Sequence, residues 1–381
     1  MKIREDFLPL SKPSIGEAEI GRVVDCLKSG WITTGPLCHE FEEQFCRLTG
    51  ARHAVSVTSG TAGMHLVLLA LGIGPGDEVI TPSMTFASTI NMITLLGAKP
   101  VFVDIHYGDL NINADLIAER MTPRTRAIIP VDFAGAPVDM DKILRLASQR
   151  ALPVIEDTAH AVGTRYKGVH AGGFGQIAIF SFHPIKNITT GEGGMIVHND
   201  GDLEERLRQF RFHGLERDAW KRYGKGGNPE YDIRTPGFKY NLTDMQAALG
   251  LGQLTRLEEL NSRRAHLAAL YYEGLEGVAG IELPGVPDYP HVHAWHLFIV
   301  KLRAMERSRF MEKLSAYNVG YGLHFPANHL LFYVQERFPG SWGDLPETEK
   351  AAPRILSLPL FPGMADADVH YVCDAIREIL R

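Results

Sequence analysis

The chain has 381 residues, of which 45% are hydrophobic and 22% are charged, a composition typical of a globular protein with room for two domains. Its formal net charge of −6 gives no support for nonspecific binding to nucleic acid. No apolar run in the sequence is long enough to cross a bilayer, so membrane insertion is not expected.

The N-terminus and the cysteines indicate a cytoplasmic protein. Residues 1–6 lack the apolar core of a signal peptide. The four cysteines have neither paired spacing nor a CxxC motif, which predicts reduced thiols rather than disulfides or a zinc site. They are Cys26, Cys38, Cys46 and Cys373. No group of histidine, cysteine and acidic residues has metal-ligand spacing, so we expect no metal site.

Two helices are predicted before the first strand. Apolar residues recur at helical spacing over residues 17–27, and a second helix is predicted over 37–48, where Gly50 ends it. From His53 onward, strand-like and helical patterns alternate. The strands are predicted at residues 54–57, 78–80, 101–103, 127–131 and 153–156, and the helices at 64–71, 86–96, 114–121 and 139–149.

This alternation predicts an α/β fold with an open, mostly parallel sheet that helices cover on both faces. An eight-stranded barrel is the alternative. It is disfavoured because the alternation stops near residue 180, where two strands, 176–180 and 194–197, follow each other closely.

The C-terminal third has a less regular pattern. Residues 243 to about 275 are predicted to be helical, and we place the domain junction there. The later elements are predicted at residues 296–300 (a strand), 308–317 and 366–380 (helices). The sequence therefore predicts a large domain over residues 1–250, which includes the N-terminal segment, and a smaller α+β domain over residues 251–381.

The loop between the two closely spaced strands carries a single lysine, Lys186. Pro184 and three glycines favour a fixed, tight loop at this point. A lysine held between apolar residues is a candidate desolvated amine, and desolvation favours the neutral form that attacks carbonyl carbon. A surface lysine on a turn is the competing interpretation, which Lys186 alone does not exclude.

Ser59, Gly60, Thr61 and Ala62 join a predicted strand to a predicted helix. The N–H groups and the positive dipole end of such a helix start form an anion site that fits a phosphate ester. The same residue types are also common in ordinary helix capping. Neither a GxxxxGK[ST] nor a GxGxxG motif opens a helix, so no P-loop and no dinucleotide fold is supported.

Asp157 follows a predicted strand, and the carboxyl ends of strands face the ligand crevice in open α/β sheets. A carboxylate there would keep the ring nitrogen of pyridoxal phosphate protonated, which improves the ring as an electron sink. Asp104 and Asp132 also follow predicted strands, however, so position alone does not distinguish Asp157 from an aspartate that caps a turn.

His160 and Phe86 are predicted at the same edge of the sheet, where both would contact a cofactor ring. A satisfied core histidine and a core phenylalanine are the competing interpretations. The phosphate loop, the strand-end aspartate and the loop lysine occur in that order along the chain. Each signal is weak alone, and together they favour pyridoxal phosphate.

At these motifs the chain resembles the DegT/DnrJ/EryC1/StrS sugar aminotransferases, which have the aspartate aminotransferase fold (fold type I). The resemblance covers nearly the whole chain. Its motifs are residues 35–36, 59–61, 74–80, 156–160, 181–194 and 358–362.

Within the family, the chain is most similar to the aminotransferases that form UDP-4-amino-4-deoxy-L-arabinose for lipid A modification. The motifs that carry this narrower similarity are residues 30–36, 181–183, 185–189, 235–244, 291–298 and 322–325.

The resemblance implies a role for each residue around the cofactor ring. Lys186 would bind pyridoxal phosphate covalently and later move the proton between substrate and cofactor. Asp157 would pair with the pyridine nitrogen. His160 would contact the side of the ring, where many relatives have Gln, and Phe86 would stack on the ring, where the nearest relatives have Trp.

The resemblance also implies a phosphate site that two subunits share. Gly60, Thr61 and Ser181 would bind the phosphate within one chain. In the wider family an Asn of the neighbouring subunit reaches the same phosphate from the position of Lys239, so Lys239 or Asn241 would do so here. A homodimer is therefore the expected minimum assembly.

The presence of Lys186 implies transamination, because family members that act as dehydratases have His at this position. Glutamate would donate its amino group, leaving 2-oxoglutarate, and the amine would pass to the keto carbon of a nucleotide-linked sugar, with a UDP-4-keto-pentose as the first choice. The alternatives are a UDP- or dTDP-linked keto-hexose, either 4-keto-6-deoxy or 3-keto, and a non-catalytic regulatory member. Candidate cations for the diphosphate are Arg211, Lys221, Arg222 and Lys225, although a solvated charged face explains these residues equally well.

Overall fold

The computed structural model describes residues 2–215, 230–233, 235–340 and 342–381, and a seven-stranded sheet lies at its centre. The first nine strands are β1 (His53–Val57), β2 (Glu78–Pro82), β3 (Lys99–Val103), β4 (Thr125–Ile128), β5 (Ile155–Asp157), β6 (Arg165–Tyr166), β7 (Val169–His170), β8 (Ile177–Ser181) and β9 (Gly194–His198). All of these except the short pair β6 and β7 belong to the central sheet.

Hydrogen bonds join β1, β9, β8 and β5 into one ladder, and β3, β2 and β4 into another. The amide of Asp132 donates to the carbonyl of Asp157 (3.1 Å), and the amide of Asp157 donates to the carbonyl of Pro130 (2.9 Å). These bonds unite the two ladders in the order β1-β9-β8-β5-β4-β2-β3. Only β9 runs antiparallel to its neighbours among these described strands, so the prediction of an open, mostly parallel sheet is confirmed and the barrel is wrong.

Helices cover both faces of this sheet. They are α1 (Glu17–Ser29), α2 (Pro36–Thr49), α3 (Gly60–Ala70), α4 (Ala87–Leu95), α5 (Ile117–Arg120), α6 (Met140–Ser148), α7 (Gly201–Arg211) and α8 (Asp244–Thr255). On β8, Ile179 packs in the same core as residues of α3 and α7. Phe180 points to the opposite face, where its ring lies 5.1 Å from that of Phe45 on α2. Because both faces are buried, β8 is apolar from Ile177 to Phe180 instead of alternating.

The C-terminal unit is a smaller α+β assembly. Its elements are α9 (Leu257–Leu275), β10 (Ile281–Glu282), β11 (His291–Val292), β12 (Phe298–Leu302), α10 (Arg307–Ala316), α11 (Phe332–Arg337), α12 (Pro346–Ala351), β13 (Ile355–Leu358) and α13 (Asp366–Leu380). An antiparallel sheet of β10, β12 and β13 packs against α9, α10 and α13 around Tyr271, Phe298 and Phe310.

The chain around Leu8 packs with this C-terminal unit, whereas α1 packs against α8. Leu8 is buried in the C-terminal core, its amide donates to the carbonyl of Asn318 (2.9 Å), and its carbonyl accepts from the amide of Gly320 (2.7 Å). The predicted boundary at residue 250 lies within α8. The next helix, α9, contributes Leu260 to one core and Tyr271 to the other. One helix thus joins both units.

Several elements had no clear signal in the sequence, namely α7, the β6–β7 pair, α11, α12 and β13. The helical stretch predicted over residues 243–275 is two helices that meet at Arg256. Among the described residues, no helix is both long enough and apolar enough to span a bilayer.

Candidate active site

A cavity of about 350 Å³ opens at the edge of the sheet where β1, β2, β5 and β8 end. The segments that follow these strands supply most of its wall, as expected for the carboxyl edge of a parallel sheet. Seven of the nine predicted site residues line this cavity. They are Gly60, Thr61, Phe86, Asp157, His160, Ser181 and Lys186.

Lys186 lies on the loop between β8 and β9, and hydrogen bonds hold this loop in place. The Lys186 amide donates to the carbonyl of His183 (2.9 Å), and the Asn187 side chain donates to the carbonyl of Ala294 (2.7 Å). Desolvation lowers the pKa of the Lys186 amine to about 8, although the nearby Asp157 carboxylate opposes this change. A larger fraction of the amine is therefore neutral at physiological pH than for an ordinary lysine, and the neutral form is the nucleophile.

The Asp157 carboxylate is buried at the end of β5. One oxygen accepts from the hydroxyl of Thr89 (3.0 Å), and the other accepts from the amide of Ala159 (3.2 Å). Burial raises the pKa of Asp157, while these two hydrogen bonds and the charge of Lys186 lower it. A cationic ring nitrogen beside the carboxylate would favour its charged form further.

Helix α3 begins at the rim of the cavity with Ser59 as its N-cap, and the Ser59 hydroxyl accepts from the amide of Ala62 (3.0 Å). The N–H groups of Gly60 and Thr61 belong to the first turn and have no acceptor within the helix, so they offer an anion site. A Cβ atom on Gly60 would lie 3.2 Å from the Cβ atom of Ser181. Glycine therefore allows the helix start to approach the end of β8 at this point.

An aromatic wall faces the same space. The rings of His160 and Phe325 lie 5.7 Å apart at an angle of 30°. His160 Nδ1 accepts from the amide of Ala134 (3.2 Å), and burial holds the pKa of His160 well below its usual value, so the neutral ring carries its proton on Nε2. Phe86 is 58% exposed, with its ring 5.6 Å from that of Phe325, so it is a wall of the site and not a core residue.

Sequence reasoning assigned no role to His324, Phe325, Thr85 or Thr89, although the first three line the cavity and Thr89 holds Asp157. Residues 322–325 were noted only as part of the resemblance. The Thr85 hydroxyl is buried and has no hydrogen-bond partner among the described residues, so a polar ligand atom would satisfy it.

Lys239 and Asn241 do not line this cavity. The Lys239 ammonium donates to Asn241 Oδ1 (2.6 Å), and the Asn241 amide donates to the Thr34 hydroxyl (2.6 Å). Their predicted contact is with the site of a neighbouring subunit, so it stays a prediction.

The prediction that Arg211 binds a diphosphate is wrong. Its guanidinium is buried, where it donates to the carboxylate of Glu42 (2.9 Å) and to the carbonyl of Ser56 (3.0 Å). The other three predicted cations, Lys221, Arg222 and Lys225, lie outside the described residues.

Comparisons with known proteins agree with this geometry. The sequence profile of the DegT/DnrJ/EryC1/StrS aminotransferase family matches residues 13–377. The aminotransferase TlmJ from Streptoalloteichus hindustanus is 33% identical, with a TM-score of 0.90, over 98% of this chain and 99% of that one. Spr1654 from Streptococcus pneumoniae is described as a sugar aminotransferase and was solved in PMP and PLP forms. Its PMP form is 32% identical, with a TM-score of 0.90, over 97% of this chain and 98% of that one. PseC from Helicobacter pylori, an aminotransferase involved in the biosynthesis of pseudoaminic acid, is 26% identical, with a TM-score of 0.89, over 98% and 99%.

The cavity provides a group for each part of pyridoxal phosphate. The Lys186 amine fits the aldehyde, the Asp157 carboxylate fits the ring nitrogen, the start of α3 fits the phosphate, and the Thr85 hydroxyl is free to bind a further polar atom. The chain belongs to the DegT/DnrJ/EryC1/StrS aminotransferase family and is a sugar aminotransferase that uses pyridoxal phosphate.

Proposed function

We propose that this enzyme transfers the amino group of glutamate to the keto carbon of a UDP-linked 4-keto-pentose, and so forms UDP-4-amino-4-deoxy-L-arabinose. The observation that carries the amino transfer is the desolvated Lys186 amine near the Asp157 carboxylate in one cavity. The choice of sugar is supported by the motifs at residues 235–244, 291–298 and 322–325. The last of these supplies two side chains of the cavity wall, His324 and Phe325.

Each residue of the cavity has a distinct task in this proposal. When bound, pyridoxal phosphate supplies an aldehyde that accepts amines and a ring that withdraws electrons. Asp157 holds the proton on the ring nitrogen, and the Thr89 hydroxyl fixes one oxygen of that carboxylate. The Lys186 amine moves the proton at the substrate carbon that bears the amino group, because its lowered pKa suits both proton uptake and release.

His160 and Phe325 shield the ring from water on one side. The neutral His160 ring offers its Nε2–H as a donor within the cavity, because Nδ1 already accepts from the backbone. Phe86 stands at the mouth, where an aromatic ring would stack on the cofactor.

We also propose that the enzyme is a cytoplasmic homodimer with shared active sites. Lys239 is exposed and outside its own cavity, which leaves it able to reach the phosphate in a partner. Helix α1 presents Ile20, Val24 and Leu27 on one face, with 47%, 37% and 51% of their surface exposed, as expected of a face that a second copy covers. All four cysteines are free thiols, which suits a reducing compartment.

A UDP- or dTDP-linked keto-hexose is the second candidate substrate. Phe86 favours it, because Phe is smaller than the Trp that the resemblance implies at this position and leaves more room at the mouth of the site. The similarity to PseC, an aminotransferase involved in the biosynthesis of pseudoaminic acid, also favours a sugar other than the pentose.

A panel of nucleotide-linked keto-sugars tests the proposal. The loaded enzyme should first shift its visible absorption band on addition of glutamate. Glutamate-dependent amination should then have a kcat/KM for the UDP-4-keto-pentose that is about tenfold or more above that for each hexose. A higher kcat/KM for a hexose contradicts the pentose assignment, and a protein without a visible band after loading contradicts the catalytic assignment itself.

A further inference from the structure

A pair of buried acids lies directly behind the active site. Asp132 follows β4, and Glu156 lies on β5, one residue before Asp157. Their exposed fractions are 0% and 2%. Because side chains alternate along a strand, Glu156 points away from the cavity into which Asp157 points.

Each of the two carboxyl groups has one oxygen bonded to the backbone and one oxygen without a donor. Asp132 Oδ1 accepts from the amide of Val138 (3.0 Å), and Glu156 Oε2 accepts from the amide of Gly172 (2.8 Å). The remaining atoms, Asp132 Oδ2 and Glu156 Oε1, are buried and find no donor among the described residues. A hydrogen bond between the two side chains contributes to the pKa of each, raising that of Asp132 and lowering that of Glu156. Since a carboxylate cannot donate, a proton must lie between them for this contact to be favourable.

The groups around the pair favour a retained proton. Burial and the negative charges of Glu156 and Asp157 raise the pKa of Asp132 well above its usual value. Burial also raises the pKa of Glu156 to about 7. Burial and the charges of nearby acids, Asp132 among them, raise the pKa of Tyr289 in the segment before β11, so Tyr289 adds no charge at neutral pH.

We propose that Asp132 and Glu156 share one proton and act as a positioning pair that fixes Asp157 for the cofactor. The backbone already joins the two strands here, through the bonds between Asp132, Asp157 and Pro130. The shared proton adds a side-chain link across the same point. Its loss would leave two carboxylates in contact in a buried site, and their repulsion would separate the strand ends that present Asp157. The positioning role rests on the proposed contact of Asp157 with the ring nitrogen.

The first test is the free energy of unfolding of the cofactor-free protein as a function of pH. A buried acid with a raised pKa stabilises the fold at low pH, and this contribution is lost as the pH rises through the pKa of the folded state. Glu156 ionises first, with a pKa of about 7, and the shared proton then stays on Asp132, so this proton is lost only in the alkaline range above that value. Wild type should therefore lose stability through this range. In Asp132→Asn the amide donates to Glu156 without a shared proton, so this loss should disappear. Asp374→Asn, at an exposed position of α13, should keep the wild-type profile.

The second test is the affinity for pyridoxal phosphate at neutral pH. Asp132→Asn restores a donor and should bind the cofactor within about threefold of wild type, whereas Asp132→Ala leaves Glu156 unpaired and should bind it about tenfold or more weakly. Infrared spectra should show the band of a protonated carboxyl group in wild type at pH 7, and less of it in Asp132→Asn.

Equal pH profiles for wild type and Asp132→Asn would overturn the shared proton. Different profiles with equal cofactor affinity in all variants would overturn the positioning role alone, which is also the result expected if Asp157 does not contact the cofactor. If Asp132→Ala does not fold, Glu156→Gln and Glu156→Ala repeat the comparison from the other side of the pair.

Discussion

Lys186 owes its reactivity to desolvation, and the rate of cofactor capture should report this. Because the pKa of the amine is lowered to about 8, the neutral fraction grows as the pH rises through that value. The rate at which the cofactor-free enzyme forms its visible band with pyridoxal phosphate should rise over the same range and then level off. Stopped-flow absorbance measures this rate. A rate that keeps rising to the pKa of an ordinary lysine, about 10.4, would show that the amine is solvated.

Replacement of Lys186 by alanine should abolish turnover without unfolding the protein. The residue lies in a loop on the wall of a cavity, so its loss removes the nucleophile but no core packing. We expect amination to fall by about a thousandfold or more, with an unchanged circular dichroism spectrum. Lys167→Ala, which removes an exposed lysine, is the matched control and should keep wild-type rates. Borohydride reduction followed by mass spectrometry should attach the cofactor to wild type only at position 186.

Three aspartates that follow strands show how far residue-level prediction extends. Asp157 faces the cavity, Asp132 contacts Glu156, and Asp104 accepts from the amides of Glu347 (2.9 Å) and Thr348 (2.8 Å) at the start of α12. The sequence placed all three at the same edge of the sheet. It could not separate their roles, because each role depends on a partner that is distant in the chain.

At the scale of secondary structure, Glu42 on α2 holds together three elements, and its replacement should be costly. It accepts from the amide of Ser56 on β1 (2.9 Å) and from Arg208 and Arg211 on α7 (2.9 Å each). Glu42→Gln removes the carboxylate that both guanidinium groups face, although Arg208 keeps the carboxylate of Glu204. Because Arg211 is buried, the change should reduce the free energy of unfolding by about 3–5 kcal/mol. Glu43→Gln, at the exposed neighbouring position, should reduce it by less than about 1 kcal/mol. Urea denaturation measures both.

The effect of Glu42→Gln on the free energy of unfolding should depend on pH in a defined direction. The two arginines hold the pKa of Glu42 well below its usual value of 4.5. Its contribution is therefore complete above that value and is lost as the pH falls below it. The difference between wild type and Glu42→Gln should shrink in acid. A difference that is constant down to about pH 2 would contradict the ion-pair explanation.

Helix α7 also explains why Arg211 was misplaced. One face of this helix is buried at every fourth residue, namely at Leu203, Leu207 and Arg211. Arg211 therefore occupies a position where helical periodicity predicts an apolar side chain. An arginine at this position interrupts the amphipathic pattern, so the sequence predicts a side chain exposed to solvent. Contact with Glu42, on a helix far earlier in the chain, contributes to making its burial favourable. β8 was predicted correctly, by contrast, because its signal lies within a single apolar run.

At the scale of the whole molecule, the C-terminal unit completes the site that the sheet begins. It supplies His324 and Phe325 to the cavity. Its Asn328 side chain also donates to the carbonyls of Ser83 (3.0 Å) and Thr85 (2.6 Å), just before Phe86. The motifs on the large sheet could be placed from the chain order alone. The contribution of residues 322–331 could not, since it depends on how the two units pack.

The proposal that two subunits share their active sites leads to a prediction that mixed subunits can test. Light scattering should first give twice the 42.2 kDa of one chain. Lys186→Ala removes the nucleophile of its own site, and Lys239→Glu places a negative charge near the phosphate of the partner's site, so each variant alone should be inactive at limiting cofactor. A hybrid dimer of the two variants has one site in which both residues are native, because the Lys239→Glu chain supplies Lys186 to that site and the Lys186→Ala chain supplies Lys239. Random assembly from equal amounts should therefore restore about one quarter of wild-type activity, because half of the dimers are hybrids and half of their sites are intact. Activity that stays at the level of the separate variants, in a mixture shown by mass spectrometry to contain hybrids, would mean that Lys239 serves only its own chain.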